Sequence, residues 1–234
     1  MEMEKHQSLL QSNLEQVEGR IALACARSGR PRQAVTLVAV TKTVSVQVAE
    51  LLPGLGLVDL AENRPQELWK KAEAIPQARW HFIGHLQRNK IERTLPLVAL
   101  FHSIDSLRLL DAVGSWSMKN KASQAAFIEV NISGEESKQG FSPKDLLASA
   151  ERFARLKGIN LLGLMGMAGY ETPGEKARPA FQLLRQTRDQ LQLLTGLGLP
   201  FLSMGMSNDF ETAIEEGATH IRLGSVLFQG VEKV

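Results

Sequence analysis

The chain has 234 residues, 44% hydrophobic and 22% charged, with a formal net charge of +2. That is ample material for one core, and too little positive charge, with no basic stripe interleaved with aromatics, for a nucleic-acid partner. The single Cys25 excludes an internal disulfide and fits a reducing compartment.

The N-terminus, MEMEKHQSLLQSNLEQ, is charged and acidic, unlike a secretory signal, and no apolar run approaches the ~18 residues of a membrane span. These features lead us to expect a cytoplasmic protein with no membrane partner. The segment up to about Ala26 reads as a helix. Eight strand candidates follow at even spacing: Thr36–Thr41, Leu57–Ala61, Trp80–Ile83, Val98–Ser103, Ala125–Asn131, Asn160–Met165, Pro200–Met204 and His220–Leu223. Seven amphipathic stretches lie between them, and the N-terminal segment can supply the eighth helix of a ring. Ser142-Pro143-Lys144-Asp145 carries a capping hydroxyl, a proline and a carboxylate in the order of a helix start, and Thr172-Pro173-Gly174-Glu175 repeats it. Beyond it, Ala177, Phe181, Leu184, Leu191 and Leu194 share one face.

Runs such as TLVAV and AAFIEV are nearly continuous in apolar residues, as strands buried on both faces must be. An open doubly wound sheet would give similar strands. Eight even units, and no Gly-rich dinucleotide fingerprint after the first strand, favour a closed (β/α)8 barrel of TIM type with an N-terminal helix, a single domain over residues 1–234.

In such a barrel, functional residues collect at the carboxyl ends of the strands. The loops after strands seven and eight place Ser203, Ser207, Gly224 and Ser225 where small side chains and backbone amides can approach a phosphate. A capping box between Asn208 and Glu211 accounts for part of this pattern, though not for Gly224-Ser225. Lys42 closes the first strand. Such a lysine ordinarily carries its ammonium to solvent, but partial burial at a barrel mouth would favour the neutral amine, able to condense with an aldehyde. Together these features suggest one ligand, a phosphorylated aldehyde.

Arg222 lies two residues before Gly224 and points the same way by strand alternation. A lone arginine is ordinarily a salt-bridge partner. Facing a ligand ring, it would donate to a ring nitrogen and keep that nitrogen unprotonated. Asn63 could touch the ring, although Asn-Arg-Pro is also an ordinary turn into a helix. His81 and His85 flank a strand end but are too few for a metal site, with carboxylates lacking nearby in sequence. Met165 and Met167 read as packing.

The segments VAVTKTV, ENRPQEL, HFIGHLQRNK, HSIDS, VNISGEESKQG, GLMGM and LSMGMSNDFETAIEEGATHIRLGS span nearly the whole chain in order, and the sequence resembles the pyridoxal phosphate homeostasis protein family. The resemblance implies a barrel like the N-terminal domain of alanine racemase. It implies pyridoxal 5′-phosphate in a Schiff base on Lys42, ring contact from Asn63, Arg222 at the pyridine nitrogen, and phosphate on Ser203, Gly224 and Ser225. It further implies a non-catalytic role in vitamin B6 homeostasis, buffering the cofactor or delivering it to apo-enzymes, with effects on amino-acid and keto-acid balance. We expect a monomer.

Two departures are visible: Tyr170-Glu171 after GLMGMAG, and the ending Leu227-Phe228-Gln229-Gly230. An amino-acid racemase is the alternative reading. It is disfavoured because a second acid–base group is not evident and an arginine at the ring nitrogen weakens carbanion stabilisation. A sugar-phosphate isomerase would leave Lys42 and Arg222 unexplained.

Overall fold

The computed structural model describes residues 2–135, 138–169 and 172–231. Eight parallel strands close into a ring in chain order: β1 (Thr36–Val40), β2 (Asp59–Glu62), β3 (Arg79–Phe82), β4 (Leu100–Ile104), β5 (Gln124–Val130), β6 (Ile159–Gly166), β7 (Phe201–Ser203) and β8 (His220–Leu223). Closure comes from β8 against β1, with Thr36 opposite His220 and Ala39 opposite Leu223.

The strands are apolar on both faces because both are buried. Leu37, Ala39, Leu60, Phe82 and Phe101 belong to the main core under the helices. The alternate positions form two small clusters that line the ring, Val38–Val40–Ala61 and Leu100–Phe127–Met165. Polar groups fill the rest: Asp59, His81, His102, Ser203, His220 and Arg222 are all buried.

The outer helices are α1 (Glu2–Arg27), α2 (Val46–Ala49), α3 (Pro65–Ala74), α4 (Ile91–Thr94), α5 (Leu107–Lys119), α6 (Pro143–Ala148), α7 (Ala150–Ala154), α8 (Arg178–Thr195) and α9 (Phe210–Glu215). Helix α1 packs against α9 and α2, so the N-terminal segment does take the eighth place in the ring. Its apolar face buries Leu10, Val17, Ile21 and Ala24, while Arg20 and Arg27 pair with Glu211 and Glu215 of α9. No helix among the described residues is long and apolar enough to cross a membrane.

Ser142 caps α6 as expected, its Oγ accepting from the Asp145 amide. The second expected cap differs. Thr172 donates its hydroxyl to the Gly169 carbonyl, residues 174–177 form a 3-10 turn, and α8 starts only at Arg178. The packed stripe of α8 ends at Leu191: Leu194, expected on that face, is 62% exposed. Tyr170 and Glu171 lie outside the described residues.

Candidate functional site

Because all strands are parallel, their carboxyl ends share one rim, and every residue singled out above for ligand contact lies on or just below it. Lys42 sits in the turn after β1, which the Val44 amide closes by donating to the Thr41 carbonyl at 3.1 Å. Lys42 is exposed rather than partly buried, so burial is not what would prepare its amine.

Its backbone is braced from below. Lys71 of α3 donates to the Thr41 carbonyl at 2.7 Å and to Glu62 Oε1 at 2.6 Å, and the Thr41 hydroxyl donates to the same oxygen. Sequence reasoning missed this pair. The visible hint was a lysine on the stripe Leu68–Lys71–Ala72–Ile75, all of which are buried. Asn63 is half-buried at the end of β2. Its carbonyl lies so close to Gly84 that a Cβ there would sit 2.0 Å from it, so the loops after β2 and β3 approach as closely as only glycine permits.

Across the rim, the loops after β7 and β8 are bridged by the Val226 amide donating to Ser207 Oγ at 3.4 Å. The Leu227 and Phe228 amides both donate to the Gly224 carbonyl, a helical turn whose first amides, on Gly224 and Ser225, have no partner inside the turn. The capping box of Asn208 with Glu211 does not form. Asp209 instead accepts from the Met206 amide at 2.6 Å, and Glu211 pairs with Arg20. Ser203 is placed differently from the two exposed or half-exposed serines. It is fully buried, and its hydroxyl is engaged by Arg222 and His102 inside the ring.

Arg222 donates Nη1 to Ser203 Oγ at 2.6 Å and Nη2 to the Gly166 carbonyl at 3.1 Å, which uses two of its five N–H donors. Burial lowers its pKa to about 10, opposed by the charges of Glu129 and Asp209, so it remains a cation at neutral pH. Glu129, on β5, is buried. Burial first, and then the charge of Asp105, push its carboxyl up to about 7, against Arg222 and His85. Beside it lies a cavity of about 300 Å³ lined by Glu129, Asn131, Lys138 and Met167. A larger groove, about 850 Å³, runs between α5 and α7, away from the rim residues.

The histidines are not short of carboxylates. His81 lies 2.8 Å from Asp59 and His85 2.7 Å from Asp105, partners brought in by neighbouring strands and loops. Among the described residues no group of three or more His, Cys, Asp or Glu is arranged to hold a metal.

Residues 12–231 match the family model of the alanine racemase N-terminal domain. A relative from Aquifex aeolicus, named pyridoxal phosphate homeostasis protein, is 43% identical over 92% of this chain and 95% of its own length. The chain belongs to the pyridoxal phosphate homeostasis protein family. The human protein of that family is 36% identical over 92% of this chain and 84% of its own. PipY of Synechococcus elongatus, solved with PLP bound, matches this family member with a TM-score of 0.79 and 30% identity, over 91% of this chain and 99% of PipY. Alanine racemase of Clostridium difficile shares the fold, with a TM-score of 0.75 at 16% identity, over 94% of this chain and 56% of the racemase.

Proposed function

We propose that the protein binds pyridoxal 5′-phosphate on Lys42 and buffers or delivers it as a cytoplasmic monomer, influencing amino-acid and keto-acid balance, with no amino-acid turnover of its own. The names of the relatives and the PLP-bound PipY support this reading. The observation that carries it is local. A single rim presents an exposed primary amine on a braced turn, a buried cationic donor, and a bridged pair of small-residue loops.

The residues fit the group. A Cβ on Gly224 would meet the Val40 carbonyl at 3.2 Å, so the loop lies tight against the end of β1, two residues before Lys42, and only hydrogens occupy that approach. Ser207, Gly224 and Ser225 would hold the phosphate, Asn63 would flank the ring, and the spare donors of Arg222 would face the ring nitrogen. Ser203, its hydroxyl engaged inside the ring, would position Arg222 instead of touching phosphate. When bound, the cofactor would supply an aldehyde, the group with which the Lys42 amine is able to condense.

Borohydride reduction of the loaded protein followed by peptide mass analysis should place the pyridoxyl group on Lys42; finding it on Lys90 or another lysine would overturn the assignment. The carrier reading has its own test. Incubation with L-alanine at about pH 7, where Glu129 is part-ionised and able to exchange protons, should give no more inversion than free cofactor does. Loaded protein should also restore activity to an apo-enzyme. Inversion on the order of 1 per second or faster would establish the racemase reading instead.

A further inference from the structure

A file of hydrogen bonds runs through the barrel interior from the rim to the opposite end. Arg222 Nη1 donates to Ser203 Oγ at 2.6 Å. Ser203 Oγ lies 2.8 Å from His102 Nδ1, His102 Nε2 lies 2.9 Å from His81 Nδ1, and His81 Nε2 lies 2.8 Å from Asp59 Oδ1. Asp59 is gripped by both Nε and Nη2 of Arg79, the second at 2.7 Å. Asp59 and Arg79 begin β2 and β3, so the file ends at the amino-terminal side of the barrel. Its members from Asp59 to Arg222 are all buried, so water does not compete for these bonds.

The directions of the bonds follow from what each group can do. A guanidinium only donates, so Ser203 Oγ accepts from Arg222 and its own hydrogen must go elsewhere. Among the described residues its other partner is His102 Nδ1, which accepts only if bare. A neutral His102 then carries its proton on Nε2, which requires a bare Nδ1 on His81. His81 in turn carries its proton on Nε2 and gives it to Asp59. One proton per ring, on Nε2, satisfies every atom in the file. A second proton on His81 would reverse the middle bonds and give Ser203 two donors, with no acceptor among the described residues for its own hydrogen.

We infer that His102 and His81, oriented by Asp59, are positioning residues that act through Ser203 to hold the donor face of Arg222 at the cofactor. The buried carboxylate sets the imidazole tautomers from the far end of the barrel, as a carboxylate does for a catalytic histidine. Burial foremost, with the charge of Arg222 adding to it, holds His102 well below the ordinary histidine range, which agrees with a neutral ring. Burial outweighed by the bonds from His81 and Arg79 leaves Asp59 at about 2, so the file is anchored by a true carboxylate. His220 stands beside the file and not in it; its Nδ1 pairs with Thr219 Oγ1 at 3.0 Å.

The link to the cofactor rests on the function proposed above, so the test has one arm without cofactor and one with it. In the first, two-bond 15N–1H spectra of histidine-labelled, cofactor-free protein at neutral pH should show His81 and His102 as Nε2–H tautomers. Either ring found as Nδ1–H or doubly protonated overturns the file. The near-isosteric Asp59→Asn, which can donate as well as accept, should disturb both tautomers.

In the second arm, Asp59→Asn and Ser203→Ala should each shift the visible absorption of the loaded protein and weaken loading about tenfold, with the reduced adduct still on Lys42. On the Ser203→Ala background, Asp59→Asn should add nothing further, because the link it acts through is gone. Spectra unchanged in both single variants, or additive effects in the double, overturn the positioning role. Should Asp59→Asn fail to fold, His102→Leu makes the same comparison. If the wild type takes up no cofactor, the proposed function fails, and the cofactor-free arm alone decides whether the file exists.

Discussion

Nζ of Lys71 lies 2.6 Å from Oε1 of Glu62, with side chains 2% and 1% exposed, and the same ammonium holds the Thr41 carbonyl next to Lys42. The second carboxylate oxygen of Glu62 is buried with no hydrogen-bond partner among the described residues. The pair is therefore shielded from bulk water, and Oε1 alone takes the bonds from Lys71 and Thr41. Removing one partner strands the other charge. Lys71→Met should lower stability in urea unfolding by about 3–5 kcal/mol. Adding Glu62→Gln should restore much of that. A loss well under 1 kcal/mol in the single variant would mean that water reaches the site.

Gly84 should tolerate no side chain. A Cβ would stand 2.0 Å from the Asn63 carbonyl oxygen and 2.6 Å from its carbon, both backbone atoms that can yield only if the rim moves. Gly84→Ala should cost about 1–3 kcal/mol or more in unfolding and displace the loop that carries Asn63. Gly54→Ala, where nothing lies within 4 Å, is the control and should fall within about 0.5 kcal/mol of wild type.

Glu129 predicts a pH dependence. Burial pushes its folded carboxyl up to about 7 from an ordinary value of 4.5. Between those values the folded state binds more protons than the unfolded one, so this group's contribution to stability falls as pH rises from about 4.5 to 7. Wild type measured against Glu129→Gln should lose up to about 3 kcal/mol across that window. The comparison with the variant is needed because His220, lowered by burial to about 3, contributes with the opposite sign over part of the same range. A flat difference would show that Glu129 is better solvated than its place suggests.

At the phosphate loops, Ser225→Ala should weaken cofactor binding by one neutral hydrogen bond, about 0.5–1.5 kcal/mol in a titration. Ser207→Ala should cost more, since its Oγ also serves the Val226 amide and so holds the two loops together. Ser225→Asp, on an exposed residue that the fold does not need, should repel the phosphate and lose most of the binding. Wild-type affinity in that variant would place the anion elsewhere.

The barrel was legible from the order of residues because strands buried on both faces leave unbroken apolar runs, and those runs are local. Each expected strand lies within two residues of the observed one at either end. The Ser142 cap could be read for the same reason, since its donor and acceptor are three residues apart. The rim residues followed from topology alone: in a parallel ring every strand ends on the same side, so Lys42, Asn63, Ser207 and Gly224 had to share it.

The interior polar file could not be read in this way. His81 and Asp59 are 22 positions apart, His102 and Ser203 101 positions apart, and they meet only because closure and register bring them inward together. A one-residue slip would turn each of those side chains to the helix side. The exposure of Lys42, the hold of Arg222 on Ser203 and the burial of Lys71 behind Thr41 have the same origin. How a side chain is solvated depends on what the neighbouring strands and helices place beside it, and that is a property of the assembled barrel, not of any one segment.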